Sequence, residues 1–205
     1  MAAVEIRGIK KRFGRKDVLR DISFDAEKGE QIAIIGRNGS GKSTLLQILT
    51  GLLRPDDGKV TYFKTSVLGN RAAFSRYCGY LPQENPLLGE LSVQDNISLW
   101  SGRLGRPDEK LISMFDLEDI LKTPVNRLSG GMKRRVSIAC CLVKWPPIVV
   151  MDEPTSALDY YFRNEIRRWM KEYREAGGIL IVATHDDAEM NDSSRILKIE
   201  NGIIS

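Results

Sequence analysis

Residues 36–44 read GRNGSGKST, and the fold is read outward from them. Gly36, Gly41, Lys42 and Ser43 fill the pattern G-x-x-x-x-G-K-[ST], a loop that holds phosphate. Residues 31–35 before it, QIAII, are apolar and β-branched, which predicts a buried strand. Residues 44–53 after it carry apolar side chains at helical spacing. Strand, glycine loop and helix in that order form an anion cradle. Glycines let the backbone wrap an anion with its N–H groups, and the helix start adds partial positive charge. Lys42 has the reach for β- and γ-phosphates, and the Ser43 hydroxyl suits Mg2+. The competing reading is a Gly/Ser-rich turn before an ordinary helix; the flanking pattern favours the cradle.

Outward from the loop, strands and helices alternate. Residues 4–9 and 18–24 read as strands, with a turn at Lys28 and Gly29. Residues 60–63 form a further short strand after the turn at 55–58, and 77–81 another, ended by Pro82. From 92 to about 115 the pattern is helical, broken around 102–107. A second helix starts at Ser129 and Gly130 and runs to Lys144, where Pro146 and Pro147 stop it. A buried strand at 148–151, a charged helix at 160–175 and a strand at 179–183 follow. Asn201 and Gly202 signal a hairpin. The alternation predicts an α/β fold, a mostly parallel sheet wrapped by helices, with an antiparallel β part at the N-terminus. Residues 84–128 show no clear strand and predict an inserted helical subdomain.

The 205 residues suffice for one substantial core. No apolar run approaches the roughly 18 residues that span a bilayer, and the first residues lack the apolar centre of a secretory signal. A chain that folds in the cytosol without entering a membrane is expected. Cys78, Cys140 and Cys141 have neither zinc nor redox spacing and read as reduced structural thiols. The net charge is +4. Basic residues cluster at Lys10, Lys11 and Arg12, at Lys133, Arg134 and Arg135, and at Arg163, Arg167 and Arg168. Aromatic interleaving is absent, so solvated helix faces, or contacts to acidic partners and lipid head groups, are expected rather than nucleic acid.

The candidate chemistry collects at predicted strand ends. Residues 148–154 read IVVMDEP. Four apolar residues bury a strand and deliver two carboxylates to its C-terminal end, where open α/β sheets bind ligands. Asp152 is placed to hold Mg2+, directly or through water, and Glu153 to polarise an attacking water. His185, the one histidine, follows the strand 179–183. It reads either as structural or, beside a phosphate loop, as a donor to a γ-phosphate that orients the nucleophile. Gln83 follows a short strand and is unremarkable alone. Residues 128–132, LSGGM, read equally as a second anion site or as a helix N-cap on a glycine turn.

Taken in order, these elements resemble the ATP-binding subunit of an ABC transporter across nearly the whole chain. Residues 36–44 resemble the Walker A loop and Gln83 the Q-loop glutamine. LSGGM resembles the signature LSGGQ, and 148–153 resembles Walker B. Residues 156–159 (SALD) resemble the D-loop, and His185 the switch histidine. The resemblance implies a P-loop NTPase fold in a single domain, 1–205. Residues 1–83 and 129–205 would form its core, and 84–128 the helical subdomain. It implies an ATPase that uses ATP and Mg2+. Gly36, Asn38, Gly39, Ser40, Gly41, Lys42, Ser43 and Thr44 would bind nucleotide, as would Gln83, and Phe13 would stack on adenine. Ser129, Gly130 and Gly131 would bind the nucleotide of a partner subunit. Ser43, Gln83 and Asp152 would hold the metal. Glu153, His185 and Lys42 would be catalytic.

The implied mechanism pairs two such domains head to tail, as a homodimer or with a related chain. ATP binding closes the pair, hydrolysis reopens it, and the motion drives a separate transmembrane permease through Gln83 and the loop 84–90. The protein would lie on the cytoplasmic face of the membrane, held by that permease. Two departures stand out. Met132 replaces the fifth signature glutamine, and SGGMKRR resembles the type-2 class of ABC exporters, so export is expected. The interval from Gln83 to Leu128 is short for the family, and the chain ends soon after the His185 strand, which argues against an added regulatory domain. Two other readings compete with this one. A soluble ABC ATPase of chromosomes or ribosomes conflicts with the short gap and the single ATPase unit. A module that binds ATP without turnover conflicts with intact Glu153 and His185. The cargo is not written in this chain.

Overall fold

The computed structural model describes residues 2–102 and 108–204. Strands β1 (Val4–Phe13) and β2 (Lys16–Ala26) form a long antiparallel hairpin, and β3 (Gln31–Ile35) leads into the phosphate loop. β4 (Asp57–Tyr62) and β5 (Thr65–Ser66) extend the antiparallel part beyond β1. β6 (Cys78–Leu81), β7 (Ile148–Asp152) and β8 (Ile179–Ala183) run parallel to β3, as does β9 (Arg195–Glu200). β10 (Ile203–Ile204) closes a hairpin with β9 and lies parallel to β2. The strand order is β5-β4-β1-β2-β10-β9-β3-β8-β7-β6. The short β10 thus joins the antiparallel part to the parallel core. The expected hairpin at Asn201 and Gly202 is present, and both residues have positive φ, 50° and 79°, as a two-residue turn of type I′ requires.

Seven α-helices accompany these strands among the described residues: α1 (Lys42–Leu49), α2 (Arg71–Tyr77), α3 (Val93–Ser101), α4 (Glu109–Met114), α5 (Gly130–Leu142), α6 (Tyr160–Glu175) and α7 (Asp187–Asn191). The central strands bury both faces, and their alternation divides the core in two. Ile148, Val150, Ile179 and Ile181 join Leu45, Leu46, Ile48 and Leu49 of α1 on one side. Val149, Met151, Leu180 and Val182 meet α5 and α6 on the other, with Val136, Ile138, Trp169 and Met170. Residues 84–128 hold α3, α4, two short 3-10 turns (Glu118–Ile120, Val125–Arg127) and one isolated bridge, Ser92 to Pro124. Their apolar residues Val93, Ile97, Leu111 and Phe115 join the α5 side of the core.

The α/β reading holds, and the element limits shift for local reasons. The helix expected over 44–53 covers Lys42–Leu49, because the chain turns at Gly51 with φ 74°. The strand expected at 77–81 begins at Cys78. Tyr77 instead ends α2, a helix in an interval to which the sequence pattern assigns no element, and whose start is fixed by Asn70 accepting from the Ala73 N–H at 3.0 Å. The helix expected to reach Lys144 ends at Leu142. The break expected around 102–107 opens at Gly102, in the left-handed region; residues 103–107 lie outside the described residues. The three thiols are free, as expected. Burial raises those of Cys78 and Cys140 to about 12 and that of Cys141 well above its ordinary value, so all three stay protonated and unreactive.

Leu180 is fully buried between β8 and the α5–α6 layer. Leu180→Ala is expected to lower unfolding free energy by about 2–5 kcal/mol. Urea unfolding monitored by tryptophan fluorescence measures this, and a change under about 1 kcal/mol would show that the layer repacks freely.

Candidate functional site

β3 carries four buried residues and then releases the chain into a loop that no side chain larger than hydrogen fits at two points. At Gly36, φ is 152°, and a Cβ would stand 2.6 Å from the Ile199 carbonyl oxygen and 2.7 Å from Ser40 Oγ. At Gly41, φ is 109°, and a Cβ would stand 2.8 Å from Leu19 Cδ2 and 3.2 Å from the Val18 carbonyl oxygen. The loop therefore packs its backbone directly on β9 and β2. Lys42 opens α1 and is 8% exposed. Its Nζ donates to the carbonyls of Gly36 at 2.8 Å and Arg37 at 3.4 Å, so the ammonium folds back over the loop. The Ser40 hydroxyl is buried without a hydrogen-bond partner. A folded-back ammonium, an orphaned hydroxyl and a helix start in one cradle fit the phosphates of a nucleotide. Ser43 and Thr44 are half-buried on the first turn of α1, while Asn38 and Gly39 are exposed.

A second group lies at the ends of β7 and β8. Asp152 is 3% exposed and pairs in register with Ala183. The next residue, Glu153, adopts φ 50°, uncommon for any residue other than glycine, and its N–H donates to the Ala183 carbonyl at 2.9 Å. This turn aims the Glu153 carboxylate at His185, whose Nε2 lies 3.5 Å from Glu153 Oε1. Burial raises the pKa of Glu153. The His185 charge and backbone N–H oppose that rise, Asp152 adds to it, and Lys42 opposes it. Lys42, Asp152 and His185 thus all act electrostatically on Glu153. Among the described residues no cluster of three His, Cys, Asp or Glu side chains offers a metal site. Ser43 and Asp152 offer a hydroxyl and a carboxylate, donor types that suit a hard cation completed by substrate oxygens rather than a closed protein cage.

The remaining candidates occupy separate places. Gln83 is exposed just beyond β6. Ser129 caps α5, its Oγ accepting from the Met132 N–H at 3.2 Å, so the N-cap reading is realised in this chain. Gly130 has open space around it, and a Cβ on Gly131 would meet the Ala157 carbonyl at 3.6 Å. The start of α5 is therefore an exposed glycine turn beside the SALD segment. Phe13 is half-exposed at the tip of the β1–β2 hairpin, with Lys11 Nζ 5.5 Å from its ring centroid. Just past that tip, Arg15, Lys16 and Val18 line a hollow shared with Arg37, Asn38 and Ser40.

The basic clusters correct one expectation. The sequence favours a solvated helix face, or contacts to acidic partners and lipid head groups, for Lys133, Arg134 and Arg135, yet Arg134 is 2% exposed. Its guanidinium bonds carbonyls at the ends of β6 and β7. Arg135 bonds the Phe115 carbonyl at 3.1 Å and stacks 4.0 Å from the Phe162 centroid. The available signal was phase. Arg134 shares a helix face with Ile138 and Cys141, both buried.

Residues 19–156, more than half of the chain, match the family model described as ABC transporter. Over 98% of its length the chain is 35% identical to the sulfate/thiosulfate import ATP-binding protein CysA of Escherichia coli (strain K12), and spans 59% of that protein. It is 33% identical to CysA of Pseudomonas syringae pv. tomato, spanning 66% of it. Its fold is similar to the dimeric post-hydrolysis structure of the ATP-binding cassette MJ0796 bound to ADP and Pi. The TM-score is 0.89 at 27% identity, covering 98% of this chain and 96% of that one. A nucleotide-free ATP-binding cassette from an ABC transporter matches with a TM-score of 0.86 at 26% identity, covering 100% and 90%.

Because Glu153 holds its proton more tightly folded than unfolded, its contribution to stability is full at low pH. That contribution is lost as pH rises through the raised folded value. Glu153→Gln removes this titration. The variant's melting temperature is expected to exceed the parent's by more at about pH 8 than at about pH 4. A gap that does not widen with pH, measured by calorimetry, contradicts the assignment.

Proposed function

We propose, for a chain that belongs to the ABC transporter family, the role of an Mg2+-dependent ATPase subunit that powers a separate membrane permease. The observation that carries it is the meeting of Lys42, Asp152, Glu153 and His185 beside a glycine loop with an orphaned hydroxyl. ATP is the substrate. Lys42 gives up its carbonyl partners for β- and γ-phosphate oxygens, a low-cost exchange because the ammonium already stands over the loop. Gly36, Asn38, Gly39, Ser40, Gly41, Ser43 and Thr44 supply N–H and hydroxyl donors, and Phe13 offers a half-exposed ring for adenine. Ser43, Asp152 and Gln83 would hold Mg2+, which when bound neutralises phosphate charge. Glu153 accepts a proton from the attacking water as its oxygen bonds the γ-phosphorus and the bond to ADP breaks. The raised pKa of Glu153 suits that task. His185, its Nε2 3.5 Å from Glu153 Oε1, orients the water and the γ-phosphate.

Ser129 and Gly130 are exposed and Gly131 is half-buried at the start of α5, and we read them as serving the nucleotide of a second subunit, identical or related. The division into a core (1–83 and 129–205) and a helical subdomain (84–128) is part of this reading. So are Gln83 and the loop 84–90 as the route to the permease, and a place on the cytoplasmic membrane face. No helix among the described residues is long and apolar enough to cross a membrane. Direction divides the support. SGGMKRR favours export. The CysA relatives are import proteins by name, and the overall identity to them favours import as the second reading.

Glu153→Gln is expected to bind ATP like the parent and to lose turnover by roughly 10²-fold or more. The same variant, tagged and drawn with Mg-ATP from detergent-solubilised membranes, is expected to bring a multi-span protein in stoichiometric amount. Parent-like hydrolysis by the variant, or recovery of ribosomal or chromosomal proteins alone, overturns the reading. The identity of the recovered permease decides the direction.

A further inference from the structure

Arg134 is a buried cation, and no ion pair satisfies it among the described residues. Its side chain leaves the second turn of α5 and ends on five backbone carbonyls. Nη1 donates to Pro82 at 2.6 Å and Gln83 at 3.3 Å, in the segment leaving β6. Nη2 donates to Asp152 at 2.7 Å and Glu153 at 2.6 Å, and Nε to Pro154 at 3.1 Å, in the segment leaving β7. Burial lowers its pKa to about 10, so it remains charged at neutral pH. Burying a cation is costly, and only well-aimed, charge-assisted bonds offset that cost. The acceptors are therefore fixed relative to the planar fork that binds them.

Glu153 is where this matters. Its left-handed backbone is held on one side by its N–H to Ala183 and on the other by Arg134 at its carbonyl. Such a conformation persists only where surrounding bonds over-determine it. The same guanidinium reaches Gln83, and its own helix begins at Ser129 and Gly130. We propose that Arg134 is a positioning residue: it fastens the Glu153 turn and the Gln83 segment to the helix that starts with LSGGM, so the placement of that helix sets the placement of the Glu153 carboxylate. This rests on the reading of Glu153 as the group that accepts a proton from water. Lysine keeps the charge but has one nitrogen and cannot span both segments; glutamine loses the charge as well.

The test uses the full chain, in its permease complex where one is recovered. Single-turnover rates and ATP affinity are measured for the parent, Glu153→Gln, Arg134→Lys, Arg134→Gln, and each Arg134 change combined with Glu153→Gln. The Arg134 variants are expected to lose roughly 10- to 100-fold in rate and to keep ATP affinity within about threefold. In the Glu153→Gln background they are expected to cost no further rate, since they act through the same group. An ordinary structural defect lowers the rate in both backgrounds and weakens ATP binding with it; that result, rates within about twofold of the parent, or failure of both variants to fold overturns the proposal. A parent that hydrolyses no ATP, or a Glu153→Gln chain that hydrolyses it normally, overturns the reading of Glu153 and this inference with it. A parent with a Glu153-dependent rate and indifferent Arg134 variants overturns the Arg134 assignment alone.

Discussion

The close approach of backbone to backbone at Gly36 and Gly41 is the constraint on which the remaining structure depends. An anion can be wrapped by N–H groups only if the loop is tight, and a tight loop leaves no room for Cβ atoms. Here tightness is imposed from outside, by Ile199 of β9 and by Val18 and Leu19 of β2. The antiparallel part and the parallel core therefore have to meet at this place. The short β10, paired to both β2 and β9, makes that meeting possible. The orphaned Ser40 hydroxyl and the folded-back Lys42 follow from the same compression, because the loop has polar groups to offer and little protein to offer them to.

The opposite half of the site follows from parallel strands buried on both faces. Such strands leave polar chemistry no place along their length, so it gathers at their ends. In β7 the change occurs between Met151 and Asp152. In β8 it occurs after Ala183, and the two are in register. The hydrogen bond from Glu153 to Ala183 turns that register into side-chain geometry. The carboxylate of one strand end and the imidazole of the next face each other because their backbones are already paired.

Local patterns made most of this legible in the sequence. The helix Tyr160–Glu175 and the strand Ile179–Ala183 stand where apolar spacing put them, since each is long or fully apolar and bounded by strong breakers. The phosphate loop and the Asp152, Glu153 and His185 positions were legible because short motifs sit directly on strand ends. Other elements were not. α2 and α7 are short helices held by single capping side chains, Asn70 and Asp186, and too brief to show a period. Arg134 was misread because an arginine between a lysine and an arginine suggests solvent. Only the tertiary placement of five carbonyls makes its burial tolerable. Short-range pattern cannot express an interaction whose five acceptors come from two segments distant in the chain from Arg134.

The position of β9 beside β3 has a consequence for synthesis on the ribosome. β3 and the phosphate loop emerge early, yet both core neighbours of β3, namely β8 and β9, are made only after β4 to β7. Until Ile199 arrives, nothing presses on Gly36, and the loop lacks the wall that shapes it. A nascent chain therefore exposes the apolar faces of β3 and α1 until β8 and β9 follow, and the loop takes its final shape only once Ile199 has been made. A product that stops before β9 is left without that wall.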